Sequence, residues 1–186
     1  MSDTREKIRD DAPPTSAKDL KSDRELSAEA VTIRKPAREL YDFWRELTNL
    51  PKFMDNIESI ERVDDRRSLW RVKAPAGKTV EWESVITDDR PGESISWQSV
   101  EGADIPNSGK VEFKDAGERG TVVRAVIAYD APGGFAGKLA AKLFQREPRI
   151  QSRRDLRRFK QLMETGEIAT GARNAAQRAE REGDDA

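Results

Sequence analysis

The spacing of apolar residues changes twice along this chain, first from a helical period to a strand period and then back. Residues 29–34 alternate as a short strand. Pro36 suits the first position of a helix, and apolar residues then recur at helical spacing, at Leu40, Phe43, Trp44 and Leu47. Pro51 interrupts this helix because proline lacks the backbone donor that a helix interior needs. The pattern therefore predicts a strand followed by a short helix.

Between residues 57 and 129 the apolar period is two, which is typical of strands that bury one face. The pattern predicts six strands, at residues 57–63, 68–74, 79–87, 94–99, 109–114 and 121–129. Most of the segments between them are short and polar, or contain glycine and proline, as at residues 75–78 and 90–92. Consecutive strands joined by tight turns predict an antiparallel meander.

The helical period returns after Pro132, and it predicts one long C-terminal helix that bends or breaks near Pro148 and ends at Gly166. Its apolar stripe consists of Leu139, Leu143, Phe144, Ile150, Leu156, Phe159 and Met163. A sheet with one apolar face must be covered, and this helix is the element long enough to cover it. We therefore predict an α+β fold in which a curved antiparallel sheet wraps around the C-terminal helix.

The two ends of the chain are polar and contain no aromatic residue. Overall, 37% of residues are charged and 35% are hydrophobic, with a net charge of −1. Residues 1–28 and 169–186 have too little apolar surface to offset the entropy of ordering them. We predict that both are disordered tails, and that residues 29–168 form a single domain.

The composition excludes much chemistry, because the chain contains no cysteine and no histidine. Thiol nucleophiles, thiolate metal sites and the commonest general base are therefore absent, and we predict no metal and no cofactor. The net charge of −1 argues against a nucleic-acid partner. The N-terminus lacks the apolar core of a signal peptide, and no apolar run is long enough to span a membrane. A cytoplasmic protein is expected.

Several residues, in their order and spacing, resemble a known superfamily. They are Pro36, Tyr41, Trp44, the segment PKFM at 51–54, Trp70, Trp82, Trp97, the segment GKVEF at 109–113, Gly120, Thr121, Tyr129 and Pro132 to Gly134. The chain resembles the START-like (SRPBCC) superfamily with the helix-grip fold, and more narrowly its polyketide cyclase/dehydrase and coenzyme-Q-binding-like members. The resemblance covers residues 31–167.

This resemblance implies a deep cavity between the concave face of the sheet and the long helix. In the superfamily such a cavity takes lipids, isoprenoid quinones, polyketides or hormones, and some members are enzymes while others only bind. The predicted lining consists of Trp70, Trp82, Trp97, Phe113, Val123, Ile127 and Tyr129 from the sheet, with Leu139, Leu143, Phe159 and Met163 from the helix. Ordinary core packing is the alternative for each of these residues.

Two further segments have both a functional and a structural interpretation. The first is a flexible portal into the cavity, or else an ordinary strand-to-helix turn, formed by Pro132, Gly133, Gly134 and Phe135. The second is a basic face on the long helix, formed by Arg153, Arg154, Arg157 and Arg158. Such a face can dock on anionic lipid headgroups at the inner membrane surface, or it can be a solvated helix face.

The residues favour binding or carrying of a hydrophobic small molecule, because burial of apolar surface can drive capture without a polar catalyst. The alternative is a cyclase or dehydratase that uses a cavity carboxylate or tyrosine, so whether the protein is an enzyme stays open. No catalytic residue is assigned. Glu81 and Glu83 are expected on the solvated outer face, opposite Trp82. A third alternative is an interaction module that acts through the charged tails.

Overall fold

The computed structural model describes residues 25–74, 77–103, 105–129 and 148–168. Within these residues, seven strands form one antiparallel sheet in the order β1-β7-β6-β5-β4-β3-β2. The strands are β1 Glu25–Ile33, β2 Ile57–Arg62, β3 Arg67–Lys73, β4 Thr79–Arg90, β5 Ser94–Ser99, β6 Asn107–Asp115 and β7 Thr121–Tyr129. From β2 to β7 each strand pairs with its neighbour in sequence. The predicted meander is confirmed.

Helices connect and cover these strands. Helix α1 spans Ala37–Arg45 and is followed by a 3₁₀ helix over Leu47–Lys52, while a short 3₁₀ turn, Gly117–Arg119, joins β6 to β7. Helix α2 spans Pro148–Thr165. It ends at Gly166, as predicted, where φ is +75° and the amide donates to the Leu162 carbonyl over 2.8 Å. The part of the long helix predicted before residue 148 lies outside the described residues.

The sheet curls into a half-barrel. Helix α2 packs against β1 and, less extensively, against β7, while α1 contacts β6 and the 3₁₀ helix contacts β2. The predicted α+β helix-grip architecture is confirmed. Helix α2 lies along the β1 edge of the sheet. Strands β3, β4 and β5 are farther from that edge, so they lie away from the main contact of this helix.

The boundaries of some elements differ from the predicted ones. Strand β1 begins at Glu25, four residues before the predicted start of the domain, and pairs there with Tyr129 of β7. This pairing uses backbone hydrogen bonds, so it needs no apolar side chains in residues 25–28. The rest of the two predicted tails lies outside the described residues. Strand β4 extends to Arg90, past a register shift between Ile86 and Asp88.

Both prolines near α1 occupy positions other than those predicted. Pro36 is the N-cap residue rather than the first helical residue, with an extended backbone at φ −61° and ψ 144°. Pro51 lies inside the 3₁₀ helix instead of ending it. The backbone amides of Phe53 and Met54 donate to the Leu50 carbonyl. A new turn therefore begins at Leu50, and Pro51 is its second residue. Its missing amide hydrogen therefore removes no bond from that turn.

Four aromatic rings join the helices to one another, and we call them the helix cluster: Phe43, Trp44, Phe53 and Phe159. The Phe159 ring centre of α2 is 4.8 Å from that of Phe53 and 5.1 Å from that of Trp44. Trp44, Phe53 and Phe159 are fully buried. Since these rings come from three separate elements, the helix cluster fixes α2 against α1 and the 3₁₀ helix.

Candidate functional site

The three strand tryptophans meet on the buried face of the sheet. Trp70 of β3, Trp82 of β4 and Trp97 of β5 are 6%, 9% and 6% exposed. The Trp70 ring centre is 6.3 Å from that of Trp82 and 6.4 Å from that of Trp97, with interplanar angles of 18° and 19°. We call these residues the tryptophan cluster. Their nearly parallel rings stack on one another, and the alternation of the strands places them on the same side as the core.

A glycine makes room for the third ring. Trp97 pairs directly with Gly109 of β6, and a Cβ atom built on Gly109 would lie 2.2 Å from Cζ2 of the Trp97 indole. Any larger residue would therefore displace the ring. Gly109 was predicted as the first residue of its strand but lies inside β6, where a glycine allows the close approach of another group.

Each tryptophan of the cluster has a serine two residues away on its own strand, and therefore on the same face. The serines are Ser68, Ser84 and Ser99, and the sheet register places Ser68 opposite Ser84 and Ser84 opposite Ser99. They form one row across β3, β4 and β5. This serine row is a narrow polar strip beside the aromatic surface.

The serine row is only partly hydrogen-bonded. The Trp70 indole Nε1–H donates to Ser68 Oγ over 2.9 Å. Ser99 Oγ accepts from the backbone amide of Asn107 over 3.0 Å. On the central strand, Trp82 Nε1 and Ser84 Oγ are both buried and have no hydrogen-bond partner among the described residues. The site thus contains two unpaired polar groups within an apolar surface.

The other predicted lining residues of the sheet have varied surroundings. Phe113 is buried, and its ring contacts the edges of Tyr41 and Trp44 at 6.1 and 6.3 Å. Val123 is fully buried, whereas Ile127 is half-buried. Phe113 therefore packs at the boundary between the sheet and the helix cluster.

On α2, Phe159 belongs to the helix cluster, and Met163 is half-buried against the core. The side chain of Tyr129 and the predicted lid residues Leu139 and Leu143 lie outside the described residues. So do the four predicted portal residues, Pro132, Gly133, Gly134 and Phe135.

Asp155 of α2 was not predicted as a site residue, yet it is 7% exposed. Desolvation raises the pKa of its carboxyl to about 7, and the charge of Arg154 opposes this shift only in part. Its Oδ1 atom has no hydrogen-bond partner in the described part of the chain. The sequence did contain a signal, because Asp155 is four residues before Phe159 and so shares its inward helix face.

The predicted basic face is smaller than expected. Arg153, Arg154 and Arg157 are exposed, but Arg158 is half-buried and forms an ion pair with Asp55. Arg158 therefore differs in its surroundings from the other three arginines, and membrane docking by this face stays a prediction. The position of Arg158 one residue before Phe159 turns it towards the segment that follows the 3₁₀ helix.

Among the described residues, no helix has the length and hydropathy needed to cross a membrane.

The acidic pair of β4 faces outward, as predicted. Glu81 bonds to Arg71 Nε over 2.5 Å, and Glu83 forms an ion pair with Arg67 over 3.4 Å. Both contacts are cross-strand pairs on the solvated side of the sheet. These carboxylates therefore do not belong to the candidate site.

A second polar network anchors α1 to the sheet. The Tyr41 hydroxyl donates to Asp89 of β4, and Arg45 Nε bonds to the same carboxylate over 2.7 Å. Burial, followed by the hydrogen bond to Asp89, raises the pKa of Tyr41 to about 12. The phenol is therefore neutral near pH 7, and its proton is engaged by a carboxylate of the sheet.

Similarity to known proteins identifies the family and the fold of this chain. The family model described as polyketide cyclase / dehydrase and lipid transport matches residues 33–157. A search of curated protein sequences found no match. The crystal structure of DR_A0006 from Deinococcus radiodurans is 44% identical, with a TM-score of 0.63, over 77% of this chain and 100% of that chain.

Two more distant structures share the fold. TTHA0849 from Thermus thermophilus is 23% identical, with a TM-score of 0.59, over 74% of this chain and 95% of that chain. The Zhui aromatase/cyclase from Streptomyces sp. R1128 is 13% identical, with a TM-score of 0.59, over 78% of this chain and 99% of that chain. The family model spans most of the described residues, so the resemblance seen in the sequence is confirmed. This chain belongs to the polyketide cyclase/dehydrase and lipid transport family, with a START-like helix-grip fold.

Proposed function

We propose that this protein binds and carries a hydrophobic small molecule, held against the tryptophan cluster. The observation that carries this proposal is the stacking of three buried indoles on adjacent strands, at ring-centre distances of 6.3 and 6.4 Å. Family membership supports hydrophobic ligand binding or cyclase activity, without distinguishing the two.

The position of the cluster favours contact with a ligand over a role in joining elements. The rings belong to β3, β4 and β5 of one sheet, whereas α2 packs along β1 and β7. The three indoles are 6%, 9% and 6% exposed, so a ligand held against them gains mainly from burying its own apolar surface. At about 25 cal/mol per Å² of apolar surface removed from water, that burial supplies enough free energy for capture without catalysis.

The direct test is to identify what the full-length protein carries. Native mass spectrometry of the purified chain, followed by solvent extraction, should give an apolar molecule that returns chemically unchanged. Trp70 stacks on both other indoles, so Trp70→Ala should reduce the bound fraction strongly. The matched control is Val63→Ala, at a side chain that is 50% exposed, and it should retain the ligand.

Two results would count against a carrier. One is a purified protein whose tryptophan fluorescence does not respond to added apolar compounds and whose extracts contain none. The other is a bound molecule that leaves the protein chemically altered, which would favour an enzyme.

A second candidate function, a cyclase or dehydratase, is favoured by Asp155. Its buried carboxyl has a pKa raised to about 7 by desolvation, so the protonated form is available as a general acid near neutral pH. A carboxyl with an unpaired oxygen on the inward face of α2 is the group such chemistry needs in a chain without histidine.

Turnover of a poly-β-ketone model substrate tests this second function. If Asp155 supplies the acid, the rate should fall as the pH rises through about 7, following its raised pKa, and Asp155→Asn should abolish the pH dependence. The control is Asp65→Asn, at a side chain that is 90% exposed. Absence of turnover by the wild type would leave binding as the function.

We also propose that Arg153, Arg154 and Arg157 dock the carrier on anionic lipid headgroups. All three are exposed and lie within two helical turns of one another, and each base near such a surface contributes about 1 kcal/mol. Changing all three to glutamate should abolish sedimentation with phosphatidylserine vesicles. A charge-matched triple change at Arg66, Arg90 and Arg119, which are also exposed, should not. Equal sedimentation of both variants would refute docking through α2.

A further inference from the structure

The tryptophan cluster contains an internal comparison between two neighbouring strands. Trp70 is paired with Trp82, and Ser68 with Ser84, in the β3–β4 register. The same two side-chain types therefore face each other across the two strands, although serine precedes tryptophan on β3 and follows it on β4. Yet the Trp70 indole donates to Ser68 Oγ over 2.9 Å, while Trp82 Nε1 and Ser84 Oγ have no partner among the described residues.

This difference is unusual for buried groups. Ser84 is 1% exposed and Trp82 is 9% exposed, and neither polar atom is accessible to solvent. Burial of a polar group without a hydrogen bond is costly, and most buried polar side-chain atoms in folded proteins have a partner. Both groups belong to β4, two residues apart, and lie on the face that carries the stacked indoles, so a ligand bound at that face is a candidate partner for both.

The chemistry of the two groups restricts what that partner is. An indole N–H can only donate a hydrogen bond, so it requires an acceptor. A serine hydroxyl can donate as well, and a carbonyl oxygen has two lone pairs that can accept from both. Purely hydrocarbon ligands would leave both groups unpaired. A carbonyl group on an otherwise apolar molecule would satisfy them.

We propose that Trp82 Nε1 and Ser84 Oγ form a recognition point for a carbonyl oxygen of an apolar ligand bound at the tryptophan cluster. This inference rests on the proposed binding function and adds the ligand group that the site selects. Trp70 and Ser68 already bond to each other, so they supply apolar contact and no carbonyl preference.

A pair of matched probes tests the proposal on the full-length protein. Fluorenone and fluorene share one rigid tricyclic skeleton and differ by a carbonyl in place of a methylene. A net hydrogen bond changes affinity by about three- to tenfold. Calorimetric titration should therefore show that the wild type prefers fluorenone to fluorene by about that factor.

Matched variants assign the preference to β4. Trp82→Phe removes the N–H donor and keeps an aromatic ring, so the ratio of fluorenone to fluorene affinity should fall to about one, whatever the change in affinity for fluorene itself. Trp70→Phe removes an equivalent indole from β3 and should keep the preference. If either phenylalanine variant fails to fold, Ser84→Ala and Ser68→Ala make the same comparison with smaller changes.

A spectroscopic measurement on the wild type gives an independent readout. The chain has four tryptophans, so a ¹H–¹⁵N spectrum resolves four indole N–H signals that single substitutions assign. Fluorenone should shift the Trp82 signal downfield, as expected for a new hydrogen bond, and fluorene should not. The Trp70 signal should show no such carbonyl-dependent shift.

The outcomes separate this inference from the proposed function. If fluorene and fluorenone bind equally, or if Trp82→Phe keeps the preference, the recognition point is wrong and a buried water is the better partner, while apolar binding stands. If neither probe binds, the proposed binding function fails and the recognition point fails with it.

Discussion

The described residues contain two aromatic clusters that are both largely buried and are differently built. The helix cluster takes its rings from α1, the end of the 3₁₀ helix and α2, and its Trp44 and Phe159 rings meet nearly edge to face, at 86°. The tryptophan cluster takes its rings from adjacent strands, and these lie nearly parallel, at 18° and 19°. The first cluster connects separate elements, whereas the second lies on one sheet that backbone pairing already holds together.

Under the proposed binding function, this contrast assigns the helix cluster to stability and the tryptophan cluster to ligand contact. Removing a ring from the helix cluster should loosen the attachment of α2. Removing a ring from the tryptophan cluster should leave the sheet intact and change mainly what the sheet can hold. Burial alone does not separate the two roles, because Phe159 and Trp70 are both almost inaccessible.

The largest effect is expected at the helix cluster. Phe159→Ala removes a fully buried ring that contacts Trp44 and Phe53, so the free energy of unfolding should fall by about 3–5 kcal/mol. Chemical denaturation followed by circular dichroism measures this loss. Val63→Ala, at an exposed site, should change stability by about 0.5 kcal/mol or less. A loss at Phe159 no larger than that would contradict the assigned role.

The next effect concerns Asp155, one turn before Phe159 on the same helix face. Its folded-state pKa is raised to about 7, above that of the unfolded chain, so the protonated form is favoured by folding. The contribution of this protonated carboxyl to the free energy of unfolding is fully present below about pH 4, and it is lost as the pH rises towards 7. Asp155→Asn does not titrate, so its stability relative to the wild type should increase over this interval, by at most about 4 kcal/mol.

Denaturation curves of wild type and Asp155→Asn at several pH values between about 4 and 8 measure this change. A constant difference in unfolding free energy across the range would mean that the carboxyl has an ordinary solvated environment. In that case Asp155 would also lose its support as a general acid.

A smaller effect is expected where Trp97 lies over Gly109. A Cβ atom at Gly109 would be 2.2 Å from the indole, so Gly109→Ala must displace the ring and should cost about 1–3 kcal/mol. Near-ultraviolet circular dichroism should change with it, since stacking on Trp70 is altered. Lys114→Ala, at an exposed position of the same strand, is the control. An unchanged spectrum would show that the ring has another resting position.

The smallest effect compares the two paired indoles in the absence of ligand. Trp70→Phe loses the hydrogen bond to Ser68, whereas Trp82→Phe loses none. The two variants remove the same ring atoms, so Trp70→Phe should be less stable than Trp82→Phe by about 1 kcal/mol. Equal stabilities would indicate that Trp82 has a hydrogen-bond partner of its own before any ligand binds.

The sequence predicted the elements well where one periodic pattern ran without interruption. Strands β5 and β7 have the predicted bounds, and α2 ends at the predicted glycine. The errors are at positions where backbone pairing or a local turn extends an element beyond its apolar pattern, as at Glu25 of β1 and Pro51 of the 3₁₀ helix. Such extensions depend on a partner strand or on turn geometry, neither of which apolar spacing reports.

For the site, the sequence predicted that Trp70, Trp82 and Trp97 share one buried face, because alternation along a strand decides which side each residue takes. The tertiary structure decided which contacts these and other residues make. The three rings stack, Arg158 forms an ion pair with Asp55, and Asp155 is buried.

The clearest limit of the sequence is the pair of neighbouring strands that carry the same two residue types. Ser68 with Trp70 and Ser84 with Trp82 both follow one pattern, yet only the first pair is hydrogen-bonded. Periodicity determines the face on which a polar atom lies. Whether that atom has a partner within about 3 Å depends on groups that the rest of the fold brings to it, and a linear pattern does not contain that information.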